Sequence, residues 1–261
     1  MIKMDNVCFA YKDAIALRNI NLEIKEGEGI ALIGPNGSGK STLLKLLNGI
    51  VTPTKGSYIF DGEEVTEAKF NKSQYSKKFH QRIGFIFQNS DAQLFNSTVY
   101  DEIAFGPRQM GFSEDIVEKR VSDCLEILEI QKLRDRQPYN LSGGEKKKVA
   151  IASVLSLNPE VLVLDEPMNE IDPKGKRFLR DFLIRLKESG KTLICSTHEF
   201  LYVEGVFDRA IVFSDNHEII RDGNYAEILA DKEFLMENNI LWCLISPFFM
   251  NLVFIKRGFF L

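Results

Sequence analysis

Residues 29–41 read GIALIGPNGSGKS, and this stretch decides the fold of the chain. Its apolar start, Gly29 to Ile33, predicts a buried strand, and the residues from Ser41 to Asn48 have the apolar spacing of a helix. Between them, residues 34–41 match GxxxxGK[ST], a loop that holds phosphate groups when it joins a strand to a helix. Its glycines let backbone N–H groups face an anion, and the helix adds its positive end. The sequence therefore predicts a nucleotide site here.

The side chains of this loop supply the ligands that such a site needs. The Lys40 ammonium would reach the β- and γ-phosphates, and the Ser41 hydroxyl would ligate Mg²⁺. An ordinary glycine-rich turn is the alternative, and the strand-to-helix context argues against it. The predicted nucleotide-binding residues are Gly34, Pro35, Asn36, Gly37, Ser38, Gly39, Lys40, Ser41 and Thr42.

A second apolar run, Val161 to Leu164, ends in two adjacent carboxylates, Asp165 and Glu166. An uninterrupted apolar run is typical of a strand covered on both faces of a parallel sheet, and ligands bind at the carboxyl ends of such strands. Asp165 would hold Mg²⁺ through water, and Glu166 would act as the general base on the attacking water. A pair of helix-capping acids before Pro167 is the alternative.

Strand patterns and helix patterns alternate along the rest of the chain, which is typical of an α/β fold. Further strands are predicted at Ile2 to Phe9, Ile20 to Ile24, Ser57 to Phe60, Arg82 to Phe87, Thr192 to Ser196 and Ala210 to Phe213. Further helices are predicted at Glu114 to Leu128, Glu145 to Ser156 and Gly175 to Ser189. The stretch 89–158 holds only helical patterns and loops, and we interpret it as a helical subdomain inserted between two strands.

The composition narrows the class of protein. With 261 residues, 44% hydrophobic and 27% charged, the chain can bury a substantial core without disulfides or structural metal. A net charge of -4 gives no global basic field, so no nucleic-acid partner is expected. The four cysteines have no metal-binding spacing, and the first residues lack the apolar stretch of a secretory signal. The body of the chain is therefore expected in the cytosol.

The stretch Leu141-Ser142-Gly143-Gly144-Glu145 opens a predicted helix well after the phosphate loop. A serine and two glycines at a helix start form a second anion-binding end. One nucleotide does not need two such ends far apart in sequence, whereas two make sense if the second serves a nucleotide held by another copy of the domain. A simple N-cap with a glycine turn is the alternative.

With these three motifs together, and with the phosphate loop ahead of the carboxylate strand in the chain, the sequence resembles the nucleotide-binding subunits of ATP-binding cassette (ABC) transporters. LSGGE matches their signature motif, residues 34–41 match Walker A, and residues 161–166 match Walker B. The resemblance spans residues 2–235 and implies an α/β fold. It would combine a P-loop NTPase (RecA-like) core, an N-terminal antiparallel β subdomain and the inserted helical subdomain. Residues 236–261 are left as an apolar C-terminal tail of unknown role.

The resemblance assigns four more site residues. Tyr11 matches the A-loop aromatic that stacks on adenine, and Gln88 matches the Q-loop glutamine that senses Mg²⁺ and the membrane partner. Asp172 matches the D-loop aspartate, and His198 matches the switch histidine on the γ-phosphate. On residue type alone, Tyr11 and His198 would more often be structural, and Gln88 would more often be polar surface.

The resemblance also implies an activity: ATP hydrolysis coupled to transmembrane transport, with ATP and Mg²⁺ bound. Two cassettes sandwich two ATP molecules, each between the P-loop of one subunit and the signature motif of the other. The segments 91–95, 104–107 and 145–152 look like those of energy-coupling-factor or cobalt/nickel importer ATPases. Cobalt, nickel or a vitamin would be the cargo.

Such an importer implies three partners at the cytoplasmic face of the cell membrane. They are a second ABC ATPase subunit, identical or paralogous, an integral transmembrane subunit and a substrate-binding membrane subunit. This chain would be bound there peripherally.

Two other functions stay open. A soluble ABC ATPase acting on ribosomes or nucleic acid typically has two cassettes or a long coiled-coil insertion, and this chain has one cassette and an acidic balance. A regulatory module that holds ATP without hydrolysing it is disfavoured by the intact Lys40, Asp165, Glu166 and His198.

The D-loop departs from the family pattern. The family typically has Thr-Ser or Thr-Ala and then a small residue after Glu-Pro, whereas here Met168-Asn169-Glu170-Ile171 precedes Asp172. Because this loop lies at the dimer seam of the family, we predict slow or asymmetric hydrolysis.

The tail departs as well. From Ile240 to Ile255 there is no charged residue, but a membrane-spanning helix needs about 20 apolar residues, and this run contains Pro247 and Asn251. We therefore expect the tail to be buried against its own domain or a partner. Binding to a membrane protein and an altered reading frame are both compatible with it.

Overall fold

The computed structural model describes residues 1–240, apart from the Leu201 side chain, and it contains two sheets and several helices. The strands are β1 (Ile2–Tyr11), β2 (Ala14–Ile24), β3 (Gly29–Ile33), β4 (Lys55–Phe60), β5 (Glu63–Glu64), β6 (Ile83–Ile86), β7 (Val161–Asp165), β8 (Thr192–Ser196), β9 (Arg209–Phe213) and β10 (Ile219–Asn224). The helices are α1 (Lys40–Leu47), α2 (Glu67–Phe70), α3 (Ser73–Arg82), α4 (Val99–Gln109), α5 (Glu114–Ile127), α6 (Gly143–Leu155), α7 (Pro173–Glu188), α8 (Tyr225–Ala230) and α9 (Lys232–Glu237). The predicted α/β fold is confirmed.

The larger sheet has the strand order β10-β9-β3-β8-β7-β6 and is parallel except for β10, which pairs antiparallel with β9 at one edge. Every residue of β3, β7 and β8 is buried, as the apolar runs predict. Because parallel strands end at the same edge, the loops after these three strands meet there. They carry the P-loop, Glu166 and His198.

The smaller sheet is antiparallel, with the strand order β2-β1-β4-β5. Its register pairs Ile2 with both Ile24 and Phe60. The buried side chains of this sheet pack with α1 against one face of the larger sheet. The N-terminal antiparallel sheet that the resemblance implies is therefore present.

Two apolar cores lie on opposite faces of the larger sheet, because successive strand residues point to opposite sides. In β3, Ile30 and Leu32 join the core shared with α1 and the antiparallel sheet. Ala31 and Ile33 join the core shared with α4 to α7. The P-loop at the end of β3 is thus supported from both sides.

Between β6 and β7 the described chain holds α4, α5, α6 and short 3₁₀ turns, without a strand. Leucines, valines and Cys124 on these helices are buried in the second core. The assignment of residues 89–158 as a separate subdomain stays a prediction, as does the extent 2–235 of the ATPase domain.

No helix among residues 1–240 is long and apolar enough to cross a bilayer. The last described helix, α9, ends at Glu237, and Ile240 is buried in the second core. Residues 241–261, most of the predicted tail, lie outside the described part of the chain, so the expectation of a buried tail stays a prediction.

Candidate functional site

The P-loop wraps around the Lys40 side chain. The Lys40 Nζ donates to the carbonyl oxygens of Gly34 at 2.7 Å and Pro35 at 2.8 Å, and the residue is only 5% exposed. Gly39 precedes α1 at a φ of 108°, and a Cβ there would lie 2.3 Å from the Ala16 carbonyl oxygen. The loop conformation therefore requires glycine at this position.

A cavity of 730 Å³ opens in front of this loop. Its walls are formed by Tyr11, Ala14, Ile15, Ala16, Asn36, Gly37, Gly39, Lys40, Ser41, Thr42, Gln88, Glu166, Asn169, His198 and His217. The Ser38 hydroxyl is buried within the P-loop and has no hydrogen-bond partner among the described residues. A polar cavity rimmed by a lysine, hydroxyls and the start of α1 fits a nucleoside triphosphate. Of the predicted loop residues, three do not line the cavity: Gly34, Pro35 and Ser38.

Tyr11, the last residue of β1, also lines this cavity. Its ring meets Phe9 edge-on, with the centroids 4.8 Å apart, and 44% of the residue is exposed. An edge contact leaves a ring face open, so Tyr11 is able to stack on a base.

Asp165 is the centre of a buried hydrogen-bond network behind the cavity. Its Oδ1 accepts from the Ser41 hydroxyl at 3.1 Å and from the Ser196 hydroxyl at 2.6 Å. These hard oxygen atoms fit Mg²⁺, which is held in such sites by few protein ligands, phosphates and water. Residues 1–240 contain no cluster of three or more His, Cys, Asp and Glu side chains that could hold a metal. Gln88, the third predicted metal ligand, is exposed and lines the same cavity.

Ser196 is a site residue that sequence reasoning missed. Besides donating to Asp165, its hydroxyl oxygen accepts the Glu166 backbone N–H at 3.0 Å, so one buried hydroxyl holds both Walker B residues. Only the pairing of β7 with β8 brings it there, since Asp165 is the register partner of Ser196.

We expect Ser196→Ala to raise the Mg²⁺ concentration needed for half-maximal ATPase activity about tenfold, because Asp165 loses a hydrogen bond that orients it. The measurement is a magnesium titration of ATPase rate at saturating ATP. Ser189→Ala is the matched control, since that hydroxyl bonds only the Leu186 carbonyl at an exposed helix end. An unchanged magnesium dependence in Ser196→Ala would contradict the role.

Glu166 carries its carboxylate at the cavity wall, and each oxygen has a polar neighbour. Its Oε1 lies 3.3 Å from His198 Nε2, and its Oε2 accepts from the Asn169 side-chain amide. The neighbouring His198 imidazole, more than the Asn169 amide or the charge of Lys40, lowers the pKa of this carboxyl against the opposing effect of burial. Glu166 has a φ of 44°, in the left-handed region that few non-glycine residues adopt.

The signature residues lie elsewhere. Ser142 and Glu145 form a reciprocal cap at the start of α6: the Ser142 N–H donates to Glu145 Oε2 at 2.9 Å, and the Glu145 N–H donates to the Ser142 hydroxyl. The N-cap alternative for LSGGE is therefore realised in the geometry. These residues and Asp172 border a second cavity, of 520 Å³, and none of them lines the first. The second cavity is lined by Glu129, Ile130, Gln131, Lys132, Leu133, Ser142, Gly144, Glu145, Lys148, Asp172, Lys174, Gly175 and Phe178.

Asp172 itself caps α7, with its Oδ1 accepting the Gly175 N–H at 3.0 Å. The structure thus brings together Tyr11, the P-loop, Gln88, the Walker B acids and His198, and it separates them from Ser142 to Glu145 and Asp172. Within one chain, LSGGE contributes nothing to the first cavity.

Lys147 and Gln93 connect α6 by hydrogen bonds to the segment around Gln88, the Q-loop. Neither was predicted from the sequence as a site residue. The buried Lys147 Nζ donates to the carbonyl oxygens of Phe87 at 3.1 Å and Gln88 at 2.7 Å. Gln93 accepts the Phe87 N–H at 3.1 Å and donates to the Ala150 carbonyl at 2.9 Å. Burial lowers the pKa of the Lys147 ammonium to about 8, although Glu170 and Asp165 act in the opposite direction.

Comparison with known proteins agrees with this geometry. The ABC transporter family matches residues 17–169. An ABC transporter ATP-binding protein of Clostridium acetobutylicum is 62% identical over 92% of this chain and 100% of its own length. The nickel import ATP-binding protein LarO of Lactiplantibacillus plantarum is 46% identical over 87% of this chain and 95% of its own. The energy-coupling factor transporter ATP-binding protein EcfA of Methanothermobacter thermautotrophicus is 41% identical over 90% and 74%.

Two solved structures are similar over most of their length. CbiO1 from Clostridium perfringens, part of the ABC transporter complex cbiONQ, has a TM-score of 0.79 and 36% identity, covering 97% of this chain and 98% of its own. A dimeric ATP-binding cassette in a post-hydrolysis state, bound to ADP and phosphate, has a TM-score of 0.78 and 30% identity, covering 86% and 98%. The chain belongs to the ABC transporter family, as an ATP-binding subunit whose ATPase activity is coupled to transport.

Proposed function

We propose that the first cavity is the ATPase site of this chain, with Lys40 and the P-loop amides on the phosphates, Tyr11 on the adenine and Glu166 as the general base. The observation that supports this most directly is that one cavity is lined by residues from three distant segments of the chain: Lys40 and Ser41, Glu166, and His198. Asp165, Ser41 and Gln88 would hold Mg²⁺, which when bound neutralises the charge on the phosphates.

In this mechanism, Glu166 takes a proton from the attacking water while the water oxygen bonds to the γ-phosphorus. The bond from that phosphorus to the β,γ-bridging oxygen breaks, and ADP leaves with the bridging oxygen. Lys40 stabilises the charge that develops on the phosphate oxygens. His198, 3.3 Å from Glu166, would orient the base and contact the γ-phosphate.

We further propose that the complete site needs a second ABC subunit. ABC ATPases work as dimers with membrane subunits, and the related cassette bound to ADP and phosphate is dimeric. The separation of Ser142 and Gly144 from the nucleotide cavity of their own chain supports the use of LSGGE on a nucleotide held by the other subunit. The second subunit would be an identical chain or a paralogue.

The transport system that we propose is an importer of the energy-coupling-factor type, for cobalt or nickel ions or a vitamin. The names of three relatives support it: nickel import for LarO, energy-coupling factor for EcfA, and the cbiONQ complex for CbiO1. An integral transmembrane subunit and a substrate-binding membrane subunit would hold this chain at the cytoplasmic face of the membrane.

A surface feature supports contact with such a membrane subunit. Phe95 and Phe105, in segments that resemble importer ATPases, are 68% and 40% exposed and meet edge-on with their centroids 5.0 Å apart. Phe95 follows the Q-loop closely in sequence, and its backbone N–H is fixed by the buried Glu102 at 3.0 Å. Exposed aromatic side chains of this kind are enriched at protein–protein interfaces.

The test is purification of the tagged chain from gently solubilised native membranes, with its companions identified by mass spectrometry. We expect an integral membrane subunit and a small substrate-binding membrane subunit, and a double Phe95→Ser, Phe105→Ser variant to recover them about tenfold less. Ile220→Ser is the matched control, since Ile220 is exposed on β10. Recovery of ribosomal or DNA-bound proteins in place of membrane subunits would leave the ATPase assignment and overturn the importer.

A further inference from the structure

His217 lies in the turn between β9 and β10 and lines the nucleotide cavity, although it belongs to none of the motifs. Its N–H donates to the Ser214 carbonyl at 3.1 Å, and its carbonyl oxygen accepts the Arg18 N–H of β2 at 2.9 Å. The Arg18 guanidinium also pairs with the Glu218 carboxylate at 3.8 Å. The backbone of His217 is therefore fixed against β2, at the edge of the cavity.

The strand order places His217 on the side of the P-loop away from the hydrolytic groups. β9 and β8 flank β3, the strand that leads into the P-loop, on opposite sides. Glu166 and His198 follow β7 and β8 on one side, and His217 follows β9 on the other. The end of β9 packs on the P-loop, since a Cβ at Gly34 would lie 2.7 Å from the Phe213 carbonyl oxygen. With the γ-phosphate at Glu166, the nucleoside part of ATP would lie toward His217.

The neighbouring part of the cavity wall is formed by the β1–β2 turn. Tyr11, proposed to stack on adenine, is the register partner of Ala14, and residues 14–16 line the cavity up to two positions before Arg18. The side chains of residues 14–16 are apolar. Tyr11 and His217 are therefore the residues that supply polar side-chain atoms to this part of the wall.

One imidazole nitrogen of His217, Nδ1, is buried without a hydrogen-bond partner among residues 1–240. Buried polar atoms are nearly always hydrogen-bonded, and one left without a partner costs free energy. The ring torsion of histidine is broad and roughly twofold, so either nitrogen can turn toward the cavity. An imidazole nitrogen donates or accepts a hydrogen bond, and the edge of adenine and the ribose hydroxyls offer both kinds of partner.

We propose that His217 is a nucleotide-binding residue that hydrogen-bonds to the nucleoside part of ATP, at its base or its ribose hydroxyls. The inference rests on the proposed role of this cavity as the nucleotide site. Because the P-loop binds the phosphates, the His217 contact adds affinity for a nucleoside phosphate and none for a bare phosphate chain.

The experiment is isothermal titration calorimetry of the full chain with ADP and with pyrophosphate, which has two phosphates but no nucleoside. His217→Gly removes the imidazole, and glycine readily adopts the φ of 63° found at this position. We expect about fivefold weaker binding of ADP, the effect of one lost hydrogen bond, and unchanged binding of pyrophosphate. Asn216→Ala is the matched control, because Asn216 is exposed in the same turn and does not line the cavity.

Two further comparisons define the contact. His217→Phe keeps a ring without nitrogen, so it should bind ADP as weakly as His217→Gly, and full ADP affinity in this variant would overturn the hydrogen bond. The ligand 2′,3′-dideoxy-ADP lacks both ribose hydroxyls. If His217→Gly still weakens the binding of this ligand, the bond goes to the base, and if it no longer does, the bond goes to the ribose.

Gly39→Ala separates this inference from the nucleotide site itself. If Gly39→Ala weakens ADP binding while His217→Gly leaves it unchanged, the role of His217 is overturned alone. An equal loss of ADP and pyrophosphate binding in His217→Gly also overturns it, since the effect then arises at the phosphates. ADP binding that Gly39→Ala does not affect overturns the nucleotide site and the role of His217 together.

Discussion

Glu166→Gln should reduce ATP turnover at least about a hundredfold, the size of effect that general-base catalysis supplies. Glutamine keeps the shape of the side chain and can still meet His198 and Asn169, but its amide cannot take a proton from water. Steady-state phosphate release measures the loss. Glu199→Gln is the matched control: Glu199 is the carboxylate next to His198 in sequence, it pairs with Lys176 at 2.5 Å, and it does not line the cavity.

The same variant should keep its affinity for ATP and accumulate as a dimer. In the proposed composite site, ATP that is bound but not hydrolysed would continue to bridge the P-loop of one subunit and the signature motif of the other, so the closed state would gain population. Size-exclusion chromatography with ATP and Mg²⁺, compared with ADP, reports this shift. A monomeric elution in both nucleotides would contradict the proposed composite site.

Gly39→Ala is the second change with a large expected effect, about a hundredfold loss of ATP affinity. Alanine at a φ of 108° is strained, and its Cβ would lie 2.3 Å from the Ala16 carbonyl oxygen, so the P-loop has to shift. A cost of about 3 kcal/mol corresponds to that factor. Titration with a fluorescent ATP analogue measures it.

The control for Gly39→Ala is Gly62→Ala. Gly62 has a φ of 79°, with nothing within 4 Å of an added Cβ, and it lies in the turn between β4 and β5, away from the cavity. It should lower the melting temperature by a few degrees through backbone strain and leave ATP affinity unchanged. If both variants bind ATP equally well, the glycine conformation at Gly39 does not determine the ATP affinity of the P-loop.

The parts of the fold that the sequence predicts are those with a local signal. β3, β7 and β8 are short apolar runs, and the phosphate loop has fixed spacing, so each is visible in a few consecutive residues. β10 was missed because its residues alternate between half-buried and exposed and include Arg221 and Asp222. α3 was missed because Phe79 is its only buried residue. Both depend on neighbours distant in sequence.

The candidate site divides in the same way. The sequence predicts Lys40, Ser41, Asp165 and Glu166 because they lie in short motifs that are recognisable from consecutive residues. Ser196, Lys147 and Gln93 act through contacts across the fold, which depend on the pairing of β7 with β8 and the packing of α6 on the Q-loop. Asn169 was noticed as a departure from the family pattern, but its contact with Glu166 requires the turn geometry.

The attachment of α6 to the Q-loop has a thermodynamic consequence. Separating α6 from the Q-loop would break the hydrogen bonds of Lys147 to Phe87 and Gln88 and those of Gln93 to Phe87 and Ala150. The two segments are therefore expected to move as one unit. Suppose that a ligand at Ser142 binds more tightly in one position of this unit than in another. That ligand then also changes the affinity of the surface beside Gln88 for its own binding partner. By reciprocity, whatever binds at Gln88 changes the affinity at Ser142 by the same factor.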